Sequence, residues 1–236
     1  MICMSLKENT ILMTMYNKEL LTNIQGSDPR IPKTIYSDRR MTVNDLAQIN
    51  QKFMGGGMSQ NYFAIPFLEY YFEAHRFEYI VEFGSQKGCL STYFANLASI
   101  TEAFFFETYE LFPEKDWNQR KTEGVGHWFE RLAEISPYVN YFHQDVFSEK
   151  TKNHIKSNIK ECKTFIFCDG GNKVQEFNTY APLLKSGDRI AVHDWGVEIH
   201  MDQIQETINK YNLVPDDSFA ISAADFATLI MPFKKL

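Results

Sequence analysis

Five short apolar runs, each leading into a helical pattern, constrain this chain more than any other feature of it. Tyr79-Ile80-Val81-Glu82-Phe83 stops at Gly84, and Ala103-Phe104-Phe105-Phe106-Glu107 closes on an acid. Residues 138–143 form a third run, Thr164-Phe165-Ile166-Phe167-Cys168-Asp169 a fourth and Arg189-Ile190-Ala191-Val192-His193-Asp194 a fifth. Residues 90–99, 128–135, 151–159, 174–184 and 201–211 carry apolar positions at helical spacing between and after them. Short buried strands alternating with helices of this length predict a parallel sheet covered on both faces. Residues 219–221 and 227–231 are two strand-like runs with no helix between them, which predicts a closing antiparallel hairpin. The expected architecture is α/β, a mostly parallel seven-stranded sheet with a C-terminal antiparallel hairpin.

A length of 236 residues suits one such domain with an N-terminal elaboration. Residues 1–58 are expected to form that elaboration, a lid or a dimer contact, with helical patterns at 6–24 and 43–53 around a proline-containing stretch. Gly55-Gly56-Gly57 reads either as a linker or as a hinge for the lid, because three glycines carry the largest backbone entropy. Residues 59–236 form the main domain, opening with a helix over 62–74.

A net charge of −6 argues against broad binding to nucleic acid or anionic membrane, since both need clustered Lys and Arg. A small-molecule partner is expected instead. Cys3, Cys89, Cys162 and Cys168 form no C-x-x-C pair and read as reduced thiols. No signal-like segment or membrane-length apolar run is present, so a cytoplasmic location is expected. The 15% of aromatic residues either thickens the core or lines a pocket; Trp128 and Trp195 are expected in the core.

Two groups of residues carry chemistry. Gly84 and Gly88 fall after the first strand and before its helix, where backbone can turn tightly and free N–H groups face a ligand. The spacing is E-x-G-x-x-x-G, so the G-x-G-x-x-G of nicotinamide enzymes is absent. Glu107, ending the next strand, is placed to accept hydrogen bonds from ribose hydroxyls, and Asp145 to meet an adenine amino group. In the second group, Asp169 closes the fourth strand and His193-Asp194 the fifth, bringing two carboxylates and an imidazole to one rim. Clustered carboxylates need a positive partner. It is either a divalent cation, Mg²⁺ or Mn²⁺, or Lys173. Either cation would lower the pKa of a bound hydroxyl, with Lys173 or His193 as candidate base. A simpler reading makes the two acids helix caps. The other histidines carry no comparable pattern.

The motif from Tyr79 to Gly88 resembles the first motif of class I S-adenosylmethionine-dependent methyltransferases. The resemblance is to their catechol O-methyltransferase-like, cephalosporin hydroxylase-like and macrocin O-methyltransferase-like groups. Phe106-Glu107-Thr108-Tyr109-Glu110-Leu111-Phe112-Pro113 is similar to a segment of the macrocin group, and Gly57-Met58-Ser59-Gln60 to the lead-in of the hydroxylase-like group. Asp169-Gly170-Gly171-Asn172-Lys173 and His193-Asp194-Trp195 resemble the metal and catalytic region. The resemblance implies a Rossmann-like fold and S-adenosyl-L-methionine as cofactor. It assigns Glu82, Gly84, Ser85 and Gly88 to the methionine moiety, Ser91 to its carboxylate and Glu107 to the ribose. Asp169 would be a metal ligand with His193 and Asp194, and Lys173 falls near the base. One extra residue separates Asp169 from Lys173, and His193-Asp194 stands where the groups have an acid followed by Asn or an acid pair. The implied reaction is O-methylation of a hydroxyl on a small molecule or sugar, by a chain that could form a homodimer. A non-catalytic cofactor-binding subunit and a nicotinamide oxidoreductase are the alternatives.

Overall fold

The computed structural model describes residues 50–53, 56–61, 64–85, 88–100, 103, 105–111, 139–216 and 229–236. A seven-stranded sheet organises them. Its strands are β3 (Tyr79–Phe83), β4 (Phe105–Glu110), β5 (Val139–His143), β6 (Thr164–Cys168), β7 (Arg189–Val192), β8 (Leu213–Pro215) and β9 (Met231–Lys235), in the order β5-β4-β3-β6-β7-β9-β8. The first five pair in parallel, whereas β9 runs antiparallel to both β7 and β8. Five helices connect them: α1 (Ala64–His75), α2 (Cys89–Ile100), α3 (Glu149–Glu161), α4 (Lys173–Tyr180) and α5 (Met201–Lys210).

Alternation along the strands sends side chains to two separate cores. On one face Ile80, Phe106, Phe165 and Phe167 pack beneath α1 and α2. On the other Tyr79, Val81, Ile166, Cys168 and Ile190 meet residues of α3, α4 and α5. Among the described residues, aromatic rings fill much of both cores. The Phe165 ring lies 5.0 Å from Phe72, 5.1 Å from Phe77 and 5.8 Å from Tyr71, and all four side chains are fully buried. Cys162 and Cys168 are buried free thiols, and Trp195 packs on Phe233 with ring centroids 5.7 Å apart.

Buried acids tie the sheet together at its other end. Asp188 accepts hydrogen bonds from the Thr164 and Lys185 backbone N–H groups, each at 2.9 Å, which joins the starts of β6 and β7. Arg189 Nε donates to Asp216 at 2.8 Å and secures the exit of β8.

Three expectations shift. Residues 50–53, at the end of the predicted 43–53 helix, are a strand, β1 (Asn50–Phe53), paired antiparallel with β2 (Gly56–Asn61). Gly56 and Gly57 are therefore strand residues opposite Phe53 and Lys52, not part of a linker. The closing hairpin exists, but its strands are Leu213–Pro215 and Met231–Lys235. The Leu213-Val214-Pro215 strand is only three residues long and directly follows a helix, so period gave it no signal. The predicted 219–221 strand, the helical patterns at 6–24 and 128–135, Trp128, Cys3 and the proline stretch lie outside the described residues. Among the described residues no helix is long and apolar enough to cross a membrane.

Because Phe165 sits amid several rings, Phe165→Ala should cost about 3–5 kcal/mol in urea unfolding. Leu236→Ala, at a side chain 60% exposed, should cost almost nothing in the same assay.

Candidate functional site

The strand order reverses between β3 and β6, because β4 and β5 continue to one side of β3 and β6 begins on the other. Ligands of open α/β sheets bind at such a crevice, beyond the carboxyl ends of the strands. Here the two strand ends are joined directly. The Asp169 N–H donates to the Phe83 carbonyl at 3.0 Å, and the Gly84 N–H to the Tyr109 carbonyl at 2.9 Å. Gly84 has φ +90°, and a Cβ there would lie 2.3 Å from the Asp169 carbonyl oxygen, so only glycine fits. Gly88, with φ +80°, closes the turn by donating its N–H to the Ser85 carbonyl at 2.7 Å.

Glu82 is completely buried just before this turn. Its Oε2 accepts the Ser91 hydroxyl and, at 2.6 Å, the Thr108 hydroxyl, while Ser85 Oγ in turn meets Thr108 Oγ1. Among the described residues Oε1 is buried with no hydrogen-bond partner. Burial pushes the Glu82 carboxyl up to about 8, with the two hydroxyls pulling the other way. Orphaned buried carboxylate oxygens are rare and call for a donor. Ser91 thus serves Glu82. Thr108 was missed in the sequence, although period 2 puts Phe106, Thr108 and Glu110 on one face of β4.

Glu107 lies elsewhere. It sits three residues short of the end of β4, opposite Val81, with its side chain on the face away from Glu82. Its carboxylate accepts from Tyr79, from Tyr109 at 2.8 Å and from Asn158, and lies 2.8 Å from His154 Nε2. These partners occupy it fully, so it is not presented at the strand end where the sequence put it. Glu110 ends β4 instead. Asp145 is exposed in the loop after β5, its Oδ1 accepting the Phe147 N–H at 2.8 Å.

The second predicted group does come together. Asp169 follows β6, His193 and Asp194 follow β7, and the His193 N–H bonds to the Cys168 carbonyl at 3.0 Å. His193 Nδ1 lies 2.9 Å from Asp169 Oδ1 and 3.4 Å from Asp194 Oδ2. Lys173 Nζ lies 3.1 Å from Asp194 Oδ2, 3.6 Å from Asp169 Oδ1 and 2.7 Å from Glu198 Oε2. Burial opposes charge on His193, but Asp169 and then Asp194 outweigh it and hold the ring at about 10. Lys173 is likewise raised against its own burial by Asp169, Glu198 and Asp194. Asp194 goes down to about 2, its burial overcome by His193 and Lys173.

Asp194 has φ +55°, a backbone strain of the kind found at functional sites. The turn it starts, with the Glu198 N–H on the Asp194 carbonyl at 2.9 Å, brings Glu198 back onto Lys173. Glu176, almost fully buried, accepts the Gly170 and Asn172 N–H groups and so fixes the loop between Asp169 and Lys173. Neither glutamate stood out in the sequence, because only the folded turn and loop give them partners.

Asp169, His193 and Asp194 present ligand atoms within 4.8 Å of one another, close enough for one ion. One oxygen of each carboxylate already faces the Lys173 ammonium and the His193 ring, so an ion here would share these acids with two cations of the chain.

No protein-family model and no curated protein sequence matches the chain. Solved structures do. An apo structure of CmcI matches with a TM-score of 0.53 and 14% identity over 84% of this chain and 85% of its own. The chain has the fold of CmcI. A CmcI structure with Mg and SAM matches with a TM-score of 0.53 and 13% identity, over 84% and 86% of the two chains. The fold is the Rossmann-like class I methyltransferase fold, as the order β5-β4-β3-β6-β7-β9-β8 also shows.

A buried carboxyl whose pKa rises on folding takes up a proton as the chain folds. Its contribution to stability is full below the ordinary value of 4.5 and is lost as the pH climbs toward about 8. Glu82→Gln should therefore unfold at higher denaturant than the wild type above pH 8 and lose that advantage below pH 4.5, when the two are compared across pH in guanidinium.

Proposed function

We propose that the chain is an S-adenosylmethionine-dependent methyltransferase acting on a hydroxyl of a small molecule or sugar. The orphaned Glu82 Oε1 carries this reading. A fully buried carboxylate, braced on one oxygen by Ser91 and Thr108 and, among the described residues, unpaired on the other, asks for a cationic donor. The ammonium of a methionine moiety is such a donor. The CmcI structure with Mg and SAM shares the fold and supports the same cofactor.

In this reading Glu82 orients the amino-acid end, and the turn from Gly84 to Gly88 lets backbone approach it. Glu110, at the end of β4, takes the ribose role first given to Glu107, and Asp145 stays the candidate for the adenine end. The cofactor, when bound, supplies an electrophilic methyl group on positively charged sulfur.

The acceptor side lies at Asp169, Lys173, His193 and Asp194. Both Lys173 and His193 carry their protons at neutral pH, so neither is a ready base. They serve instead as a pair of positive charges that favours the ionised form of a hydroxyl placed against them. Asp169 and Asp194 keep that pair in place. A medium with few competing waters strengthens the effect, and His193 is buried.

Calorimetric titration of S-adenosylhomocysteine tests the cofactor half. Wild-type protein should bind it and not NAD, and Glu82→Gln should weaken binding by roughly tenfold to a hundredfold, the usual value of one charged hydrogen bond. Equal affinity in both proteins would sink the assignment. Binding without methyl transfer to any member of a hydroxyl-compound panel would leave a cofactor-binding subunit as the better reading.

A further inference from the structure

Two carboxylate oxygens of the acceptor-side cluster each face two cations of the chain itself. Asp169 Oδ1 has His193 Nδ1 at 2.9 Å and Lys173 Nζ at 3.6 Å; Asp194 Oδ2 has Nζ at 3.1 Å and Nδ1 at 3.4 Å. Charge alternates around this four-atom ring. The ammonium also donates to Glu198 Oε2 at 2.7 Å and to the Gly170 carbonyl at 3.3 Å.

A divalent ion placed among Asp169, His193 and Asp194 would compete with Lys173 and the His193 ring for the same two carboxylates. A carboxylate only accepts, so the Nδ1 that meets Asp169 carries hydrogen and offers no lone pair there. Metal binding would therefore have to use Nε2 of the ring, and either the second oxygens of the two acids or the first ones after displacing the cations. It would also have to expel the ammonium or sit against it.

Lys173 is not there by chance of a long side chain. It is the first residue of α4, where the helix dipole disfavours a cation, and it is only 7% exposed. Both effects push the charge away, and the three carboxylates hold it in place. Glu198 belongs to neither strand end and adds a third anion, which a two-carboxylate metal site would not need.

We propose that Lys173, with His193 beside it, is the resident cation of this centre, filling the position that a divalent metal ion would otherwise take. The inference stands apart from the cofactor assignment, since it concerns only the charges of the chain.

The test is a titration of the full chain, stripped with EDTA, with Mn²⁺, following the free-ion paramagnetic resonance signal. Wild-type protein should take up no stoichiometric Mn²⁺. Lys173→Met and Lys173→Gln, checked for folding by circular dichroism, should each bind one equivalent, at least about tenfold more tightly than the wild type. One equivalent bound by the wild type as tightly as by the variants overturns the proposal. So do folded variants that bind no better than the wild type. If neither variant folds, the wild-type titration decides alone: one equivalent bound refutes the proposal, none supports it. S-adenosylhomocysteine titrated into the same samples keeps the two ideas apart, because its failure to bind would count against the cofactor and leave the Mn²⁺ result as it is.

Discussion

The hydrogen bond from the Asp169 N–H to the Phe83 carbonyl, with Gly84 pressed against the Asp169 backbone, holds together everything the site consists of. It stitches the ends of two neighbouring parallel strands where the sheet changes direction. The Glu82 pocket lies on one side of this seam and the charged ring of Asp169, Lys173, His193 and Asp194 on the other. Parallel pairing extends the same registration outward, so that β4 contributes Thr108 level with Glu82 and β7, level with them at Ala191, contributes His193 two residues further on.

The two sides solve opposite electrostatic problems. Glu82 is buried without enough donors and sits among other anions, Asp169 and Glu110 included, so its proton is held more tightly. Across the seam, three carboxylates meet two cations and each charge sustains the others. An isolated buried ion costs several kcal/mol, and a cluster persists only when nearly every lone pair and proton finds a partner. The cluster of Asp169, Lys173, His193, Asp194 and Glu198 finds its counter-charges within the chain. On the Glu82 side one oxygen, Oε1, has no hydrogen-bond partner among the described residues.

Much of this was legible in the sequence, for reasons that differ residue by residue. The strands β3, β6 and β7 were read within a residue or two because they are buried on both faces along most of their length and mostly apolar. The convergence of Asp169 with His193 and Asp194 followed from strand adjacency alone. Glu107 was misplaced because an acid after four apolar residues looks like the end of a strand. Here β4 continues through Thr108 to Glu110, and a carboxylate is tolerated mid-strand because two tyrosine hydroxyls, Asn158 and His154 surround it. Helix 43–53 failed at its end for the converse reason, since hairpin pairing with Gly56–Asn61 overrides a local pattern. Glu176 and Glu198 were invisible, because a turn that returns to a lysine from twenty-five residues away leaves no mark in spacing.

The contact between Gly84 and Asp169 also limits how such a protein could diversify. A single added methyl group at residue 84 would collide with the backbone that carries Asp169, so the turn and the loop behave as one rigid block. Variation is accommodated more readily outside that contact, as at Val197, which is exposed in the Asp194–Ile199 turn although Glu198 of the same turn is tied to Lys173. One side of the crevice thus admits no added atom, while the other carries a position at which the side chain can change freely.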